Sequence, residues 1–142
     1  MLEEIKVFRR ATIASIITSA YPMIVVGGYF GITPWNMKRL SIDETDLSFS
    51  ILIFGIFFVI SNQIAGRILV PKYGTKLVMS LAFPLITFST LLAIISPTYF
   101  YFLLTFISAG IGWGASGPIG GIHCQLIEKH FKKIITPYYA MG

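Results

Sequence analysis

Long stretches without a single charged side chain constrain this chain more than any other feature of it. No Asp, Glu, Lys or Arg lies between Arg10 and Lys38, between Asp46 and Arg67, or between Lys76 and Glu128. A charge held at the centre of a bilayer costs about 2.5–3.5 kcal/mol or more, and a helix needs about 20 apolar residues to cross. The first two gaps each match one crossing. The third is too long for one and is interrupted by Ser96, Pro97 and Thr98, so it reads as two. Only 12% of the 142 residues are charged and 55% are hydrophobic, against about 25% charged in soluble domains. An all-α membrane protein is expected, with crossings at about 11–33, 47–66, 77–95 and 99–121.

The charges that remain are sorted by position. With the N-terminus inside and four crossings, Lys6, Arg9, Arg10, Arg67, Lys72, Lys76, Lys129, Lys132 and Lys133 fall on the cytoplasmic side. Only Lys38 and Arg39 fall outside, beside Asp43, Glu44 and Asp46. Short loops follow this positive-inside bias, which accounts for the net charge of +5 and leaves nucleic acid as no partner. Basic residues followed by an apolar run also open a secretory signal. This run is longer than a signal's apolar region and no small-x-small cleavage site follows, so helix one is expected to be retained.

Local signals place the details. Helix one contains Pro22 and the small residues Gly27, Gly28 and Gly31; the four-residue spacing of Gly27 and Gly31 suits close approach of another helix. Residues 34–40 read as the outer loop. Ser41 and Glu44 read as a capping box starting helix two outside the membrane, which enters near Leu47. Ser48, Gly55, Asn62 and Gly66 are spaced to share one face, expected to look toward protein or a cavity. Phe49, Ile53, Phe54, Phe57 and Ile60 are expected toward lipid. Residues 67–76 read as a cytoplasmic turn, Pro84 as a kink in helix three, and 96–98 as a tight hairpin. Helix four opens with Tyr99, Phe100, Tyr101 and Phe102, an aromatic interface belt, and runs into SAGIGWGASGPIGG. There Gly110, Gly114 and Pro118 form one stripe and Gly112, Ser116 and Gly120 another, roughly opposite. Residues 128–133 read as a basic cytoplasmic segment, and about 134–142 as the start of a fifth helix.

No enzyme chemistry is legible. The chain has no paired-carboxylate constellation, zinc-protease motif, phosphate loop or nucleophile elbow. Cys124 has no second cysteine to pair with, and His123 and His130 are seven apart, which is not a helical ligand spacing; no metal and no cofactor are expected. The six acidic residues all fall in expected loops or helix ends, so no buried carboxylate is available to carry protons. The substrate-path candidates are Tyr21, Tyr29, Thr33, Asn62, Trp113 and Ser116, each of which packing within the bundle also explains.

The segment AGRILVPKYGTKLVMSL resembles the loop signature of the major facilitator superfamily, roughly G-x-L-A-D-R-x-G-R-K. Residues 69–76 align with its L-A-D-R-x-G-R-K portion, Lys72, Gly74 and Lys76 taking the two basic places and the turn glycine. Pro71 stands at the acidic place, and Gly66 lies one residue before the leading glycine, where Arg67 falls. Placement between helices two and three, the tight three–four connection and the glycine-rich fourth helix fit as well, looking most like a branch near fucose-permease-like bacterial transporters. In that branch a polar or charged residue often precedes the proline that ends helix one; here Ile32, Thr33 and Pro34 lack the charge. The resemblance implies a twelve-helix secondary transporter of the inner membrane, built as two six-helix halves with a small solute between them. This chain would then be the first part of one half, an N-terminal fragment. Helices one and four would border the cavity, Gly66, Arg67, Lys72, Gly74 and Lys76 would form a cytoplasmic gating loop, and the remaining transporter helices would be its partners in the bilayer. A complete small membrane protein acting as an oligomer of this chain (an exporter or adaptor), and a non-functional truncated product, remain open alternatives.

Overall fold

The computed structural model describes residues 2–132 and residue 134. It is all-helical: α1 (Leu2–Leu40), α2 (Glu44–Ile64), α3 (Val70–Ile95) and α4 (Tyr99–Phe131), with a π-helical stretch at Ala65–Leu69 joining α2 to α3. Three helical stretches are long and apolar enough to cross a membrane: Ile5–Leu40, Glu44–Ile95 and Tyr99–Phe131. The second is broken inside at Gly74, whose φ of 79° and ψ of 162° belong to no helix. That combination is open essentially to glycine alone, so a helix arriving at residue 73 can turn there.

The side-chain contacts give the direction of each helix. Along α2 and α4 the partners advance together, from Phe54 beside Gly110 and Phe58 beside Gly114 to Gly66 beside Pro118, so these helices are parallel. Along α3 and α4 they run in opposite order, from Ala82 and Ile86 at Gly112 to Ser89 at Ser108. Along α1 and α4 they also oppose: Phe8 meets Phe131 and Tyr29 meets Phe106. The bundle is therefore up-down-up-down, with α4 wedged between α2 and α3.

This order gathers Lys6, Arg9, Arg10, Arg67, Lys72, Lys76, Lys129 and Lys132 at one end of the bundle. Lys38, Arg39, Asp43, Glu44 and Asp46 lie at the other. At about 1.5 Å per residue, α1 and α4 exceed the roughly 30 Å of a hydrocarbon core. Their surplus turns pack together at the basic end, where Phe8 and Ala11 meet Cys124, Ile127 and Phe131. Elsewhere the outward surface is apolar: Ile24 is 73% exposed, Ile95 69%, Leu81 66% and Phe100 63%. In water such a surface would associate; in lipid it is the solvated surface.

Several element boundaries differ from those expected. Residues 34–40 are not a loop, because α1 passes through Pro34 to Leu40. A proline removes one backbone donor, and the turns after it are held from outside: Asn36 is fully buried and Arg39 bonds to the end of α3. No Ser41–Glu44 capping box forms. Ser41 has φ 53°, and the cap is Asp43, whose Oδ1 accepts from the Asp46 amide at 2.8 Å. The turn expected at 67–76 is helical except at Gly74. Residues 128–131 extend α4 rather than leaving it. Pro84 lies within α3, where the one non-helical residue is Gly74.

The expected faces of α2 are also rearranged. Ser48 is exposed and a Cβ on Gly55 would touch nothing within 4 Å, whereas Phe54 and Phe57 lie against Gly110. The α2 backbone at Phe54 and Phe58 comes directly against glycines of α4, so close backbone approach overrides polarity in choosing this face. The two stripes of α4 do face two neighbours, Gly110 and Gly114 toward α2 and Gly112 toward α3. The expected start of a fifth helix lies outside the described residues, apart from Ile134.

Candidate functional site

The face of α4 that turns toward α1 and α2 carries the arrangement closest to a binding site. Trp113 lies 5.6 Å from the ring of Phe54 and 5.8 Å from that of Phe58, one helical turn apart on α2. Phe30 of α1 approaches Phe54 at 6.4 Å, edge to face. These rings form an aromatic wall contributed by three helices. Toward the basic end, the Asn62 amide nitrogen sits over Gly117, close enough that a Cβ there would meet it at 3.1 Å.

Asn62 is only partly buried, and among the described residues its carboxamide makes no hydrogen bond. It therefore offers donors and an acceptor beside an aromatic surface, with no ionisable group on the wall. Ser116 is 6% exposed, and its hydroxyl donates to the Trp113 carbonyl at 2.8 Å. The structure thus sets Asn62 and Trp113 on the α2–α4 pair, whereas Ser116 bonds within α4 and shares the stripe of Gly112, which faces α3.

The other path candidates on α1 turn inward, and the two tyrosines tie α1 to its neighbours. Tyr29 is 4% exposed and its hydroxyl pairs with that of Thr105 on α4 at 2.8 Å. Thr33 is buried and donates to the Tyr29 carbonyl at 3.1 Å. The Tyr21 and Thr87 hydroxyls pair between α1 and α3, with the Tyr21 ring on Phe83. A Cβ added at Gly66 would lie 3.7 Å from Pro118 Cβ. Arg67, Lys72, Gly74 and Lys76 are exposed around the break, and the Lys72 ammonium lies 5.1 Å from the Tyr73 ring.

Sequence reasoning missed two parts of this picture. Phe30, Phe54 and Phe58 were read as lipid-facing or not singled out, although the four-residue spacing of Phe54 and Phe58 beside a glycine-flanked Trp was a usable signal. The second is a clamp at the end of the bundle that carries Asp43, Glu44 and Asp46. Arg39 donates to the Ser96 carbonyl at 2.6 Å and to Asn36 Oδ1 at 2.8 Å. Its guanidinium also lies 4.8 Å from the Trp35 ring. An arginine at the last carbonyls of α3 satisfies acceptors that no helix turn can reach. Among the described residues no group of His, Cys, Asp and Glu side chains is placed to hold a metal ion.

Fold and site together define a multi-pass, all-helical membrane protein with an aromatic and amide-bearing face on its fourth helix. The chain matches no protein-family model, and no curated protein or solved structure is significantly similar to it.

Proposed function

We propose that this chain forms part of a secondary transporter that moves a small solute across the inner membrane. Its four helices would each cross the bilayer, with the N-terminus and the basic end cytoplasmic. The observation that carries the reading is Asn62, a hydrogen-bonding amide without a partner among the described residues, set beside the aromatic wall of Phe54, Phe58 and Trp113. A site with one amide, ring faces and no charge suits an uncharged polar solute with an apolar face. The break at Gly74, flanked by Lys72 and Lys76 where the resembled signature has its turn glycine and basic residues, supports a hinge at the cytoplasmic end. The remaining helices of such a transporter would cover the open face of α1 and α2.

Trp113 makes the reading testable. In a Trp35→Phe background it is the sole tryptophan, and its emission reports the site directly. A panel of small sugars, polyols and amides added to the purified chain should include one that shifts the emission saturably, and Asn62→Leu should abolish the shift. If every member of the panel leaves the spectrum unchanged, the site reading fails.

A second reading has its own observation. Gly27, Gly28 and Gly31 of α1 are exposed, and a Cβ at any of them would meet nothing within 4 Å. This small-residue face fits a second copy of the chain in an oligomeric exporter or adaptor. Cross-linking in membranes through a cysteine at Ile24 separates the two: a discrete low-order oligomer of the chain favours this reading.

A further inference from the structure

A groove of about 340 Å³ lies on the opposite side of the bundle from the aromatic wall, between the π stretch, α3 and α4 at the basic end. Tyr73, Leu77, Leu81, Leu85, Ile111 and Ala115 are among the residues that line it. Leu77 and Leu81 are 49% and 66% exposed, so it opens sideways, toward what would be lipid. Its polar groups do not suit a polar solute. The Ser61 hydroxyl already donates to the Ile111 carbonyl at 2.7 Å, and the remaining hydroxyl belongs to Tyr73, beside the exposed Lys72.

The charge at that mouth is one-sided. Lys72 holds its ammonium 5.1 Å from the ring of Tyr73, a wall of the groove. Lys76 precedes the lining residue Leu77, and Arg67 lies two residues before the lining residue Leu69. The chain has no acidic residue between Asp46 and Glu128, and among the described residues none of these three cations has a carboxylate partner. An apolar slot open to lipid, with unneutralised cations at headgroup depth, matches a molecule with a hydrocarbon tail and an anionic head.

We infer that this groove binds an anionic phospholipid, one acyl chain lying along Leu77, Leu81 and Leu85 and the phosphate against Lys72 and Lys76. The bound lipid brings a negative charge to the Gly74 break, where the chain supplies none. The inference rests on the proposed four crossings, which put the Gly74 break at a membrane surface, and is independent of any transported solute.

The test is lipid retention by the purified chain in detergent, read by native mass spectrometry after adding dioleoyl phosphatidylglycerol or dioleoyl phosphatidylcholine. The expected result is preferential retention of the anionic lipid, by about fivefold for each cation engaged. K72Q/K76Q should remove most of that preference. R10Q/K129Q takes the same charge from the same end away from the groove and should keep it. Glycerol phosphate, a head without tails, should fail to displace the lipid. Equal retention of the two lipids overturns the inference, as does equal loss in the two double variants, which marks diffuse surface attraction. Displacement by glycerol phosphate also overturns it, since the site would then bind a free anion. Circular dichroism and a monodisperse elution profile verify that each variant is folded.

Discussion

At the scale of single residues, the glycines of α4 are unequal, and the structure ranks them. A Cβ on Gly114 would be driven into the backbone of Phe58, and one on Gly110 would sit 2.7 Å from the Phe54 carbonyl oxygen. These are backbone neighbours, which cannot step aside as a flexible side chain can. A Cβ on Gly112 would meet Ile86 Cγ1 at 2.8 Å and the Ala82 carbonyl oxygen and Ile86 amide nitrogen at 3.2 Å, so a side-chain shift relieves only part of that contact. Gly121 would meet nothing within 4 Å. Gly114→Ala should therefore destabilise the chain by about 2–3 kcal/mol, within the range of overpacked cores. Gly121→Ala should be neutral, or stabilising by up to ~1 kcal/mol through helix propensity. Thermal unfolding of the two variants in one detergent checks the order, and equal midpoints would mean that α2 and α4 are not this close. Gly74 is a different case, because space around it is open and its backbone conformation is the constraint. Gly74→Ala should cost about 1–3 kcal/mol, read in the same assay. The stripes on α4 were visible in the sequence because helical spacing converts directly into faces. Which hydroxyls lie inside was not: Tyr21, Tyr29 and Thr33 have the same composition whether they bond to Thr87 and Thr105 or line a path.

At the scale of elements, α1 is attached differently from the rest. Its middle is joined to α3 and α4 by the paired hydroxyls of Tyr21 with Thr87 and Tyr29 with Thr105, and its last turns by Arg39. The guanidinium bridges the Ser96 carbonyl and Asn36 Oδ1 at 2.6 and 2.8 Å, a geometry that needs a planar fork. Hydrogen bonds involving a charged partner are each worth about 1.5–3 kcal/mol. Arg39→Ala should lower stability by about that amount and free the last turns of α1, seen as faster proteolysis at Lys38. Arg39→Lys should recover less than half of the loss, because one ammonium on a flexible stem does not reproduce the fork; full recovery by lysine would mean that charge alone matters. This clamp also explains where reading by segments stopped short. Charge-free gaps and turn residues mark where helices are embedded, and 96–98 was legible as a hairpin for that reason. They do not mark where helices end. Pro34 looks like a terminator until the buried Asn36 and the α3 carbonyls beneath Arg39 are in place, and those are tertiary facts. The length of α4 beyond residue 121 depends likewise on Phe8 and Ala11, more than a hundred residues earlier in the chain.

At the scale of the whole molecule, the question is how many times the chain crosses the bilayer. Three stretches qualify by length and apolarity, and the middle one is broken at Gly74. If it crossed once, Gly74 and the neighbouring Lys72 and Lys76 would lie within or close to the hydrocarbon, at a cost of about 2.5–3.5 kcal/mol for each buried cation. Two crossings place all three at a surface and put every cation of the basic end on one side. The contact order agrees, since α3 runs back along α4 in the direction opposite to α2. Cysteine labelling decides the matter. Cys124 is 2% exposed and can be replaced by Ser, after which single cysteines at Lys38, Thr75, Pro97 and Lys129 report their sides of the membrane. With an impermeant maleimide on intact cells, positions 38 and 97 should react together. Positions 75 and 129 should react only after permeabilisation. Position 75 unreactive under both conditions would place the Gly74 break inside the bilayer. The hinge and the lipid-headgroup contact would then both fail, while the aromatic site on α4 would stand. Reaction of 75 and 129 on intact cells, with 38 and 97 protected, would keep four crossings and invert the protein, placing the basic end outside against the charge rule.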